Sequence, residues 1–144
     1  GAFSDNIVHS SSGATDVNVA VTGLRSGTVY SKATGDLDNL NTWGTNTDGS
    51  GTAPTNFTSN GMIYEIRNRS AATISANWVV SGTGAKVVVG DGTNFTDFTI
   101  PSTASFTGSI DVSNAAELTV ETVNTLRRRC FQANIKIRVV KNAL

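Results

Sequence analysis

At 144 residues the chain is long enough for one cooperative body and too short for two large cores, and its heavy use of Thr, Ser, Asn, Gly and Val is that of strands and turns. Its one cysteine, Cys130, excludes an internal disulfide and a Cys-based metal site, and the one histidine, His9, lies at the opposite end of the sequence, too far along the chain to pair with it by proximity. Eleven acidic and eleven basic side chains balance overall, but Arg127, Arg128, Arg129, Lys136, Arg138 and Lys141 all follow the last acidic residue, so a body of −6 precedes a tail of +6.

The basic tail has only Phe131 among its charges, which is not the interleaving of aromatics that single-stranded nucleic acid requires, and a solvated or self-pairing end is the better reading. No run approaches 18 apolar residues, so membrane insertion is not expected. With no signal peptide the chain reads as soluble and already processed or excised.

Residues 1–34 are expected to form an N-terminal hairpin. Val17-Asn18-Val19-Ala20-Val21 alternates with period two, as does Thr28-Val29-Tyr30, and Gly23 and Gly27 separate them. The stretch Leu24 to Tyr30 resembles the turn before the penultimate strand of fibronectin type III domains, where a tyrosine corner forms, which implies the end of such a domain here.

Residues 35–60 read as one long loop rich in Gly, Asn and Asp, with Trp43 anchoring it to the body and capping as its purpose. Asn46, Asp48 and Ser50 alternate within it and offer oxygens to calcium, although the remaining acids of a calcium-binding loop are missing and a plain turn is favoured. Asp36 and Asp38 form the one close carboxylate pair, beside Asn39, where a turn role is favoured over acid–base chemistry.

Residues 61–125 carry a repeat. Ile66, Val89 and Val112 are 23 residues apart, and so are Asn68, Asp91 and Asn114. Tyr64-Glu65-Ile66-Arg67-Asn68, Val87-Val88-Val89-Gly90-Asp91 and Ile110-Asp111-Val112-Ser113-Asn114 share one pattern, and a second apolar run follows each, at Thr73-Ile74, Phe98-Thr99-Ile100 and Leu118-Thr119-Val120. A third follows two of them, at Trp78-Val79-Val80 and Ser105-Phe106, closing on Gly82 and Gly108. A period in the low twenties with two or three short strands is one rung of a parallel β-solenoid. The fold expected is therefore all-β, a short right-handed parallel β-solenoid of about three rungs, with a β-sandwich as the alternative. Ile66, Val89 and Val112 would stack inward, and Asn68, Asp91 and Asn114 would stack at the corners. Residues 126–144 are expected to form a basic terminal strand or cap.

The runs Tyr30 to Leu37, Thr42 to Gly49, Ala76 to Gly82, Val87 to Gly92 and Gly108 to Asn114 together resemble the opening rungs of a right-handed β-helix in large secreted surface proteins of Bacteroidetes. The resemblance covers about residues 30–124. It implies secretion, by the type IX route, and a role at the cell surface. No C-terminal sorting domain of that family is recognisable.

The function expected is a non-catalytic structural or adhesive module of a secreted surface protein, meeting neighbouring domains or further copies through the edges of its sheets. A carbohydrate-binding module is the alternative, with Trp43 and Tyr64 as exposed stacking platforms for polysaccharide. A fragment of a polysaccharide-degrading β-helix enzyme is less favoured, because Arg67, Arg69 and Lys86 have no acidic cluster beside them in the sequence. No glycine-rich loop leads into a helix with Lys-Ser or Lys-Thr, so nucleotide binding has no support, and no cofactor is expected beyond the weak case for calcium.

Overall fold

The computed structural model describes residues 2–9, 17–24, 27–124 and 133–140, and these are almost all strand, turn and loop, the helical content among them being one 3-10 turn at Leu40–Thr42. β1 (Ala2–His9) and β2 (Val17–Leu24) pair antiparallel, Ala2 opposite Leu24 and His9 opposite Val17. The alternating run at Val17–Val21 therefore pairs with the chain before it. It does not pair with Thr28–Tyr30, as the intervening glycines had implied. β3 (Gly27–Ser31) belongs to another sheet, and Tyr30 lies there with the Arg67 guanidinium 5.4 Å from its ring centroid, which removes the tyrosine-corner reading.

From β3 onward three sheets are built by strands that recur in the same order. The first holds β3, β5 (Met62–Ile66), β8 (Lys86–Val89) and β11 (Ile110–Val112), all parallel, with the short β4 (Trp43–Gly44) antiparallel on the outer edge of β3. The second holds β6 (Ala71–Thr73), β9 (Thr96–Ile100) and β12 (Ala116–Asn124) in parallel, with β13 (Ala133–Val140) antiparallel on the edge of β12. The third pairs β7 (Trp78–Val79) with β10 (Phe106–Thr107), also parallel. The strand at 133–140 agrees with the terminal strand expected in the basic tail, whereas Arg127 to Arg129, Cys130 and Phe131 fall outside the described residues.

The 23-residue period is the register of the first sheet. Ile66 pairs with Val89 and Val89 with Val112, while Tyr64, Val87 and Ile110 form the neighbouring column. Side chains alternate across a strand, so the apolar columns turn inward: Tyr64, Ile66, Val87 and Val89 have no exposed surface, and Ile110 and Val112 are partly buried against the same core. Ala72 and Phe98 face the core from the second sheet and Trp78 from the third. The Trp78 ring centroid lies between 5.2 and 6.4 Å from the rings of Trp43, Phe57, Tyr64, Phe98 and Phe106, so residues of all three sheets share one interior.

The corners vary more than the strands. Between the first and second sheets the chain turns through Asn68 with φ of 64° on one level, through Asp91 flanked by Gly90 and Gly92 on the next, and through Ala115 with φ of 58° on the third. Asn68 takes the left-handed conformation expected of it, and its Nδ2 donates to the carbonyls of Ser31 and Thr47, both at 2.8 Å, which ties the corner to the preceding level. Gly82 closes a later corner for another reason, since a Cβ there would lie 2.0 Å from the Ser59 carbonyl oxygen of the passing chain.

Replacing fully buried Val89 by aspartate puts an unpaired charge into the column and is expected to destabilise the chain by about 4 kcal/mol or more. Asp111→Ala removes only an exposed contact to the Lys86 ammonium at 2.7 Å and is expected to change stability by less than about 1 kcal/mol. Urea unfolding of both variants checks the assignment of inner and outer faces, which comparable losses would contradict.

Candidate functional site

The residues singled out in the loop at 35–60 have structural partners. Trp43 and Tyr64, expected as exposed platforms, are both fully buried. The Trp43 Nε1 donates to the Leu37 carbonyl at 2.9 Å and the Tyr64 hydroxyl to the Asn56 carbonyl at 2.9 Å, with the two rings 5.5 Å apart at a near-perpendicular angle. A sugar stacks on an accessible ring face, and neither ring has one. Each satisfies its polar atom on a nearby carbonyl and spends the rest of its surface in the core, and burial pushes the Tyr64 phenol up to about 12. Trp43 does anchor the loop, as expected.

Asn46, Asp48 and Ser50 are brought together, but around one another. Asp48 Oδ1 accepts from the Ser50 backbone N–H at 2.9 Å and from the Ser50 hydroxyl at 2.6 Å, and Asn46 Nδ2 donates to Ser50 Oγ at 3.0 Å. The Ser50 hydroxyl and N–H hold the Asp48 carboxyl below its ordinary range. This is the chemistry of a closed turn: the one carboxylate already serves two donors, and no group of three or more His, Cys, Asp or Glu gathers among the described residues. Asp36 and Asp38 act apart. Asp38 accepts from the Ser75 N–H at 2.9 Å and from its hydroxyl, pinning the loop to the level below, while the Asp36 carbonyl accepts from Asn39 N–H.

The concave polar site of the described surface lies at the corner between the first and second sheets. Its position follows from the register. Stepping from one level to the next in the first sheet takes 23 residues, but Phe98 is 26 residues after its partner Ala72 and 20 before its partner Leu118. The corner from Val89 to β9 is therefore three residues longer than its neighbours, and the excess is taken up by Asp91–Phe95. Phe95 stands at the end of this bulge with 52% of its surface exposed, one of two large apolar side chains so exposed among the described residues.

Asp91 shapes the bulge. Its Oδ1 accepts from the backbone N–H groups of Thr93 at 2.9 Å and Asn94 at 2.8 Å, and its Oδ2 from Asn94 Nδ2 at 2.9 Å and Arg67 Nη2 at 3.2 Å. Led by the two bonds from Asn94, these donors hold the Asp91 carboxyl far below the usual carboxylate range. Arg67 also meets Glu65 at 3.2 Å, and Arg69 donates to the carbonyls of Lys32, Thr34 and Gly35, so both guanidinium groups are committed to the fold. With Asn68, Ser70 and Phe95 these residues line a cleft of about 460 Å³.

Of the expected corner column, Asn68 and Asp91 flank this cleft, while Asn114 is exposed on the next level. Phe95, Asn94 and Ser70 were not among the residues marked by the repeat. The signal that points to them is the break in spacing, 26 and then 20, with an aromatic residue placed at the end of a polar turn.

Compared with protein-family models, with curated proteins and with solved structures, the chain matches none.

Two expected outcomes follow from this geometry. Both tryptophans are about 99% or more buried, so their fluorescence should be blue-shifted and weakly quenched by acrylamide; strong quenching would place an indole at the surface. The folded Asp91 carboxyl binds its proton more weakly than the unfolded one, so its contribution is complete above the ordinary carboxylate pKa of about 3.9 and fades as the pH falls below it. Asp91→Asn should be less stable than the parent chain at neutral pH and lose less on acidification to pH ~2, as read by thermal unfolding across that range; parallel acid profiles would refute the role given to this carboxylate.

Proposed function

We propose that the chain is a non-catalytic structural or adhesive module of a secreted bacterial surface protein, built as a short right-handed parallel β-solenoid. The observation that carries this reading is the in-register parallel pairing of Tyr64 with Val87 and of Val87 with Ile110, at the 23-residue step, in a sheet whose inward columns are buried. Two further sheets repeat in the same strand order, and parallel strands joined across such connections follow the right-handed path in nearly all proteins. The fixed period, the three-strand level and the corner asparagine also belong to the resemblance with surface proteins exported by the type IX route.

A module of this form suits spacing and presentation. Levels add along one axis, each buries the apolar face of the one before, and the strand at each end offers an edge to a neighbouring domain or a further copy. The acids and arginines of the corners are engaged in holding turns and levels together, in bonds such as Asp38 with Ser75, Asp91 with Asn94 and Arg69 with Lys32, which is the work of a scaffold.

The architecture is tested by cross-linking in a Cys130→Ser background. Glu65 and Val88 are lateral partners in adjacent parallel strands, so a Glu65→Cys, Val88→Cys pair should close a disulfide on mild oxidation, whereas Glu65→Cys with Asp111→Cys, two strands apart, should not. The location is tested with antibodies raised against the folded chain. They should label intact producing cells and lose their target when those cells are treated with protease; labelling only after lysis refutes a surface role.

A further inference from the structure

The bulge that carries Phe95 is an addition to the regular period. Loops can lengthen without disturbing the sheets they join, and the second sheet here returns to register one level later, where Phe98 meets Leu118 and Ile100 meets Val120. The stack does not need the three extra residues, and their effect is to hold a half-exposed aromatic ring at the mouth of a cleft of about 460 Å³, within the range of small-ligand sites. The turn beneath the ring is rigid, because four donors converge on the Asp91 carboxylate.

The chemistry of the lining selects among ligand classes. A phosphate or uronate needs an uncommitted cation, and the two arginines of the cleft are already bonded, Arg67 to Glu65 and Asp91, Arg69 to three main-chain carbonyls. Asp91 adds a permanent negative charge that opposes an anion. What remains unengaged among the described residues is a set of neutral oxygens, the Ser70 hydroxyl and the side-chain carbonyls of Asn68 and Asn94, whose amide nitrogens are occupied with Ser31, Thr47 and Asp91. Oxygen acceptors beside an accessible aromatic face match a ligand with several hydroxyl donors and an apolar C–H face.

We propose that this corner is a binding subsite for a neutral sugar, which stacks one face on Phe95 and donates hydroxyl hydrogen bonds to Ser70, Asn68 and Asn94. The site is distinct from the buried pair Trp43 and Tyr64, and it does not depend on whether the module serves as a scaffold.

The test is saturation-transfer NMR on the full chain with glucose, galactose, mannose and N-acetylglucosamine and their short oligomers, with an oligogalacturonate as the charged comparison. Transfer to ring C–H protons of at least one neutral sugar is expected. Phe95→Ala should weaken that binding roughly tenfold, as loss of a stacking ring does. Ser70→Ala should weaken it less, and Val79→Ala, at the other exposed apolar side chain, should leave it unchanged. If circular dichroism shows that Phe95→Ala has lost its fold, Phe95→Leu replaces it, keeping apolar bulk without the ring, and full binding by the leucine variant overturns the proposal. It is equally overturned if no neutral sugar in the panel receives saturation, if a folded Phe95→Ala binds as the parent does, or if the oligogalacturonate binds as well as the neutral sugars.

Discussion

The structure depends on lateral pairing between levels that cannot be stable singly. Each level contributes strands of two to five residues to the shared sheets, apart from the longer β12, and strands of that length bury little on their own. The inward side chains are covered only when the next level sets its own apolar residue over them in register. Tyr64 on Val87 and Ile66 on Val89 are the central instances, and all four have no exposed surface. A shift of one residue would turn every inward side chain outward, so the alternation Tyr64-Glu65-Ile66 over Val87-Val88-Val89 specifies the register as well as the burial.

That dependence makes the ends of the stack a separate problem, and the long loop answers it at one of them. The step from Val29 to its partner Tyr64 is 35 residues, twelve more than the regular 23. The surplus runs out along the far edge of β3, forms β4, and drives Trp43 onto Tyr64 and Trp78. Leu37, also fully buried, binds through its N–H to the Thr73 carbonyl at 3.0 Å, so the same loop supplies the second sheet with a neighbour it would otherwise lack. Arg69 stitches the start of the loop down by its bonds to Lys32, Thr34 and Gly35. The opposite end is covered less completely: Phe106, Ile110, Val112, Leu118 and Val120 are only partly buried, although they belong to the same columns as residues with almost no exposure.

The sequence shows the first sheet clearly and the rest unevenly, for reasons that lie in particular residues. Ile66, Val89 and Val112 are legible as a column because no insertion falls between them, and Asn68 is legible as a corner because few residues other than glycine tolerate its φ of 64°. The second sheet was marked only as apolar runs, since the bulge at Asp91–Phe95 shifts its spacing to 26 and then 20. Trp43 and Tyr64 misled for a physical reason. An aromatic residue in a stretch of Gly, Asn and Asp has the local composition of an exposed platform, and the need for a plug at the end of the core is a property of the stack that no local pattern expresses. The pairing of β2 with β1 in place of β3 was hidden in the same way, because alternation identifies a strand without naming its partner.

Sheet and corner positions are therefore under different constraints. A change on an inward strand position is felt by the levels on both sides, because each side chain is packed against its counterparts along the column. A corner answers mainly to its own hydrogen bonds, and the three corners solve the same turn differently, with Asn68, with Asp91 between two glycines, and with Ala115 after Asn114. Where a corner lengthens, the register recovers within one level, so Phe95 can project from the body while Phe98, three residues later, remains fully buried. The separation allows a rigid stack to carry a recognition surface without altering its core, and it places that surface on the residues that depart from the repeat.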